Sequence, residues 1–109
     1  MHSLPQILLG TGGFGATWLP ENINELIKSV KDTGINRVDT AAIYPVHSPG
    51  AAEKLVGDAG FSERGFVIDS KIMYSADGNG TLTAAAIEKS ISQSLQSLKI
   101  PKARYNYAI

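Results

Sequence analysis

Apolar and polar positions along this chain change period several times, and each change predicts an element. Gln6–Leu9 is a short apolar run that breaks into the glycine-rich stretch Gly10–Gly15, a first strand ending in a loop. From Asn22 the period becomes helical: Ile23, Leu26, Ile27 and Val30 fall at i, i+3, i+4 and i+7. Asn22 followed by Glu25 predicts an N-cap with a capping-box partner, and Gly34 a left-handed C-terminal stop. Ile35–Asp39 reads as a second strand whose last residue is a carboxylate. Ser48-Pro49 predicts a cap with proline at the first helical position, followed by the apolar face Ala52, Leu55, Val56 and Ala59 and a stop at Gly60. Phe66-Val67-Ile68 is a nearly continuous apolar run, as in a strand covered on both faces, and it ends in Asp69-Ser70-Lys71. A polar loop with Asp77, Gly78, Asn79 and Gly80 comes next. Thr83 then caps a helix with Ile87, Ile91, Leu95 and Leu98 on one stripe, and Pro101 stops it. Ala103–Ile109 is a fourth strand candidate.

The order β-α-β-α-β-α-β at even spacing predicts an α/β fold of parallel βαβ units. The expected strands are at about 6–9, 35–39, 66–71 and 104–109, in sequential order, with three helices on the outer face. No linker or low-complexity tract divides residues 1–109, so one domain is expected.

Composition narrows the function classes. An apolar share of 43% in 109 residues argues against disorder. Ten Lys plus Arg balance ten Asp plus Glu, which removes the basic excess expected of a nucleic-acid or anionic-membrane partner. No apolar run approaches the ~20 residues of a membrane span. The start MHSLPQILLG lacks the basic and long apolar regions of a signal peptide. With no cysteine there is no disulfide framework, thiolate zinc site or Cys nucleophile. A soluble, cytoplasmic chain is the expectation.

Two readings compete for the glycine loop. Gly10-Thr11-Gly12-Gly13-Phe14-Gly15 satisfies G-x-G-x-x-G, and Asp39 lies 24 residues beyond Gly15, as in a dinucleotide fingerprint. That motif needs its glycines to open the first helix, whereas Pro20 would break such a helix and helical periodicity starts only at Ile23. The second reading treats each strand's C-terminal end as part of a barrel's active face. Asp39 ends strand two, Tyr44 lies five residues on, and Lys71 ends strand three. Singly they could be a turn cap, a packed ring and a solvated strand end; together they are a carboxylate, a phenol and an ammonium on neighbouring strand ends.

Val38-Asp39-Thr40-Ala41-Ala42-Ile43-Tyr44 resembles the Asp-Thr-Ala-x-x-Tyr motif of the aldo-keto reductases. Ser70-Lys71, with the lysine 27 residues after Tyr44, is similar to the family's strand-three lysine. Leu9–Gly15 resembles its first-strand segment, and Glu53-Lys54-Leu55-Val56-Gly57 its Glu–Leu–Gly pattern. Pro49-Gly50-Ala51-Ala52-Glu53 looks closest to the aflatoxin-aldehyde-reductase-like branch. The resemblance runs to about Pro101.

The resemblance implies a partial (β/α)₈ barrel, about its first four strands, of a family that reduces aldehydes and ketones with NADPH and no metal. It makes Tyr44 the general acid, Lys71 the cation that favours its phenolate, and Asp39 the partner that holds Lys71. Gly12, Gly13 and Phe14, with Asp39 and Lys71, would face the nicotinamide. Trp18 is either a pocket wall or a packed loop aromatic, and His47 reads as solvent-exposed. The family's fourth catalytic member, a histidine at the end of strand four, would fall at Ala108-Ile109, and neither is histidine. The implied whole barrel is typically ~250 residues, so the chain reads as the N-terminal part of a truncated or incomplete gene product, inactive alone. Inward-facing residues such as Val38 and Val67 would then be partly uncovered. The alternatives are a non-catalytic half-barrel that associates through open edges and a Rossmann-like nucleotide-binding module.

Overall fold

In the computed structural model, residues 7–72 and 84–101 and the backbone of 104–108 are described. The elements are β1 (Leu9–Gly10), α1 (Ile23–Asp32), β2 (Arg37–Asp39), α2 (Ala51–Asp58), β3 (Val67–Ile72), α3 (Ala84–Leu98) and β4 (Arg104–Ala108). One sheet contains all four strands in the order β1-β2-β3-β4, and each neighbouring pair is parallel. Strand order follows chain order, as the even βαβ spacing predicts. The reversal of order that makes a dinucleotide crevice is absent from this sheet, and α1 starts at Ile23 rather than in the glycine loop. That removes the structural basis of the Rossmann-like alternative. The loop at 77–80, the Thr83 cap and the ends Ala103 and Ile109 lie outside the described residues.

Period-two alternation decides which face each strand residue takes. Val38 and Ile68 point toward the helices and join Ile23, Ile27 and Val30 of α1, Leu55 and Val56 of α2, and Leu98 of α3 in one apolar core. Phe61 packs between Phe14 and Phe66, with ring centroids 5.9 and 5.0 Å away. Val38 is therefore wholly buried, contrary to its expected inward position, while Val67 on the other face is 46% exposed. The expectation failed at Val38 because its neighbours Arg37 and Asp39 take the inward face.

Two helix starts differ from their predictions. Asn22 stands at the N-cap position of α1 but makes no cap bond. Its Oδ1 instead accepts the Leu19 N–H at 2.7 Å, fixing the turn that carries the chain out of the glycine loop. Helix α2 begins after Gly50, in the left-handed region at φ 91°, and not at Ser48-Pro49. The predicted stops hold: Gly34 and Gly60 follow α1 and α2 with positive φ. At Gly57 a Cβ would collide with the Ser97 carbonyl oxygen and stand 3.0 Å from Leu98 Cα. Absence of a side chain is what lets α2 and α3 cross so closely.

A buried carboxylate also ties these layers together. Glu53 of α2, 3% exposed, accepts hydrogen bonds from Ser70 Oγ of β3 at 2.8 Å and Ser94 Oγ of α3 at 2.9 Å. Burial pushes its carboxyl above the usual range, and the two hydroxyls only partly offset that. A raised folded-state value means that the favourable contribution is complete below the unfolded value and is lost as pH rises through the folded one. Glu53→Gln is therefore expected to hold or raise stability at neutral pH, while Glu53→Ala strands two buried hydroxyls and costs about 1–3 kcal/mol. Urea unfolding at pH 7 checks both; a Gln variant less stable than the Ala variant would contradict this account.

Candidate active site

Beyond β2 the chain stays beside β3. Thr40 N–H donates to Asp69 O at 2.9 Å and Ala42 N–H to Lys71 O at 3.1 Å. Tyr44 follows on a turn closed by its own N–H to Ala41 O, and its carbonyl accepts the Ala52 N–H from the first turn of α2. A helix-start donor that would otherwise lack a partner thus pins the tyrosine. Its half-buried ring packs against the apolar core.

Lys71 is the centre of the site. Its side chain is 2% exposed, and Nζ donates to both Asp39 oxygens at 2.8 and 2.7 Å and to Thr40 O at 3.0 Å. The same Nζ lies 4.9 Å from the Tyr44 ring centroid, within cation–π range. Burial works against the ammonium, but the Asp39 carboxylate and then the Tyr44 side chain outweigh it, holding Lys71 above the ordinary lysine range. The structure brings Asp39, Tyr44 and Lys71 together at the C-terminal ends of β2 and β3.

The glycine loop is folded on itself. Ala16, Thr17 and Trp18 all donate their N–H groups to Gly13 O, and Gly15 N–H donates to Trp18 O at 2.7 Å. Gly10 and Gly12 are exposed, and a Cβ at either would meet nothing within 4 Å, so this backbone is open to a flat ligand. Phe14 differs from its sequence reading: its ring is 1% exposed in the core beside Phe61, which leaves no face for a ligand. Trp18 packs partly buried against the same core, and His47 is exposed.

A second ion pair, not evident from the family motifs, lies beside the first. Arg37 Nε and Nη2 donate to Asp69 Oδ2 and Oδ1 at 3.1 and 3.0 Å. The signal was available, since R-V-D and D-S-K each place two charges on one strand face. Among the described residues there is no group of three His, Cys, Asp or Glu that could hold a metal ion. No helix among them is long and apolar enough to cross a membrane.

The aldo/keto reductase family model matches residues 6–104. None of the curated proteins matches the chain. Solved structures do. A provisionally assigned aldo-keto reductase from Pseudomonas aeruginosa is 28% identical with a TM-score of 0.76, over 94% of this chain and 41% of that one. An aldo-keto reductase from Klebsiella pneumoniae, solved with NADPH, is 27% identical with a TM-score of 0.67, over 94% and 34%. A Bacillus halodurans aldo-keto reductase in its holo form, 21% identical with a TM-score of 0.71, shares the fold over 94% and 35%. This chain thus spans about two fifths or less of the length of these structures.

Proposed function

This chain belongs to the aldo/keto reductase family, and from that premise we propose that it supplies the proton-donating part of an NADPH-dependent reduction of aldehydes or ketones to alcohols. The observation that carries the reading is the Lys71 ammonium, clamped by both Asp39 oxygens beside Tyr44. Reduction of a carbonyl needs a hydride and a proton, and NADPH when bound supplies the hydride. Tyr44 gives its phenolic proton to the alkoxide oxygen as charge develops there. Lys71 stabilises the phenolate left behind, and Asp39 fixes the ammonium so that little reorganisation is needed during the step.

The exposed backbone of Gly12, with Gly13, Asp39 and Lys71, would hold the nicotinamide end; Phe14 would contribute through its backbone alone. No step calls on a metal. The substrate is a small carbonyl compound, and the Pro49–Glu53 segment is the basis for proposing the aflatoxin-aldehyde-reductase-like branch. A cytoplasmic location and the absence of nucleic-acid and membrane partners complete the reading. A second reading, association between chains through the outer edges of β1 and β4 and the uncovered sheet face, is favoured by Ile7, 65% exposed just before β1, and by Val67, 46% exposed on the face of β3 away from the helices.

An eight-stranded barrel that includes these residues is expected to oxidise NADPH when given a simple aromatic aldehyde. A polypeptide of these 109 residues alone is expected to associate on size exclusion and to give no steady oxidation. Four strands cannot hold cofactor and carbonyl in a reacting geometry, which is where much of the rate arises. Absence of turnover in the barrel would overturn the reductase reading. Steady turnover by a monomer of 109 residues would mean that other groups perform the reaction.

A further inference from the structure

Four charges, not two, occupy the face of β2 and β3 away from the helices. Asp39 and Asp69 are register partners, and neighbouring strands lie about 4.8 Å apart, so two carboxylates stand side by side. Arg37 is two residues before Asp39 on β2, and Lys71 two residues after Asp69 on β3. The observed pairing runs diagonally across the strands, Arg37 to Asp69 and Lys71 to Asp39. An along-strand pairing, Arg37 to Asp39 and Lys71 to Asp69, has the same charge balance and spans roughly 7 Å between Cα atoms, two strand residues. It would take Asp39 away from Lys71.

We propose that Arg37 is a positioning residue for the proton-donating site: by occupying both Asp69 oxygens it leaves Asp39 as the carboxylate that holds Lys71 over Tyr44. The guanidinium suits this task because its planar fork matches both carboxylate oxygens at once, where an ammonium acts as a point charge. Asp69 is nearly buried, with its side chain 5% exposed, so solvent offers it little compensation if the fork is removed. On β2 and β3 its remaining cation on the same face is then Lys71, while across the other side of β3 its register partner on β4 is Arg104. The inference rests on the proposed roles of Tyr44 and Lys71, but its consequence is geometric.

The test is NMR on an eight-stranded barrel that includes these residues, reading the ring-current shift of the Lys71 ε-methylene and its NOE to the Tyr44 ring. Both are expected in the unaltered protein. Arg37→Met should lose them, because Asp69 then competes for Lys71. Asp69→Asn should weaken them, because Arg37 is released toward Asp39. The double variant Arg37→Met/Asp69→Asn should restore them, since neither competitor remains. A purely structural role predicts a double variant at least as impaired as the worse single one, and that result overturns the proposal. So does an Arg37→Met protein, folded by circular dichroism, that keeps both signals. If Arg37→Met does not fold, Asp69→Asn and the double variant still decide: signals weakened and then restored support the proposal, and any other pattern refutes it. None of these signals depends on turnover, so failure of the reductase reading is seen separately, as a barrel without NADPH oxidation.

Discussion

Replacing Tyr44 with phenylalanine is expected to slow carbonyl reduction about 10²–10⁴-fold in an eight-stranded barrel that includes these residues, the span associated with loss of a positioned general acid. The substitution removes one oxygen. The ring keeps its place against the core and its face toward Lys71 Nζ, so packing and the cation–π contact survive. Thermal unfolding should be nearly unchanged. The interaction lost is made with charge that develops only in the transition state, so kcat should fall while KM moves little. Steady-state NADPH oxidation with an aromatic aldehyde measures it, and near-normal kcat would remove Tyr44 from the proton-donating role.

Asp39→Ala is expected to destabilise the fold by about 3–5 kcal/mol, the cost of breaking a buried ion pair. The lower end is favoured because the Asp39 side chain is 27% exposed, while that of Lys71 is 2% exposed. The sign of the pH dependence follows from the ammonium being held above the ordinary lysine range. A raised value gives stability that is complete below the unfolded value, about 10.4 for lysine, and is lost as pH rises through the folded one. The full loss should therefore appear at pH 7. Without Asp39 the effect of burial, the largest single influence on Lys71, opposes the charge with less resistance, so the lysine should titrate lower. Adding Lys71→Met should recover much of the stability, since an apolar side chain suits that space better than an unpaired charge, without recovering turnover. Urea unfolding of the two variants tests this. A double variant no more stable than Asp39→Ala would show that packing, not the orphaned cation, set the loss.

Stability at the protein surface follows the opposite sign. Lys54 and then Lys99 hydrogen-bond Asp58 at the end of α2 and hold its carboxyl down at about 2. That favourable contribution is present above the unfolded carboxylate value and fades as pH falls toward the folded one. The group is exposed, so its effect is small beside the buried Lys71–Asp39 pair.

The residue order by itself determined the element sequence, both glycine stops and the trio Asp39, Tyr44 and Lys71. Each is written in neighbouring residues: a change of hydrophobic period, a glycine at a helix end, or a motif within a strand and its loop. Tertiary structure decided which way the side chains face and with whom they pair. Phe14 reads locally as a loop residue, yet its ring enters the core because Phe61, 47 positions later, stands beneath it. Val38 goes to the helices and Arg37 to the opposite face, where its partner Asp69 is 32 residues away. Asn22 looks like a cap, but the nearby Leu19 N–H claims its side chain. Glu53 reads as an ordinary helix-start acid until β3 and α3 bring it two hydroxyls. Local sequence sets periodicity because backbone geometry repeats every few residues. Pairing between strands some thirty residues apart depends on register, and register is fixed only when the helices close over the sheet and choose which face is buried.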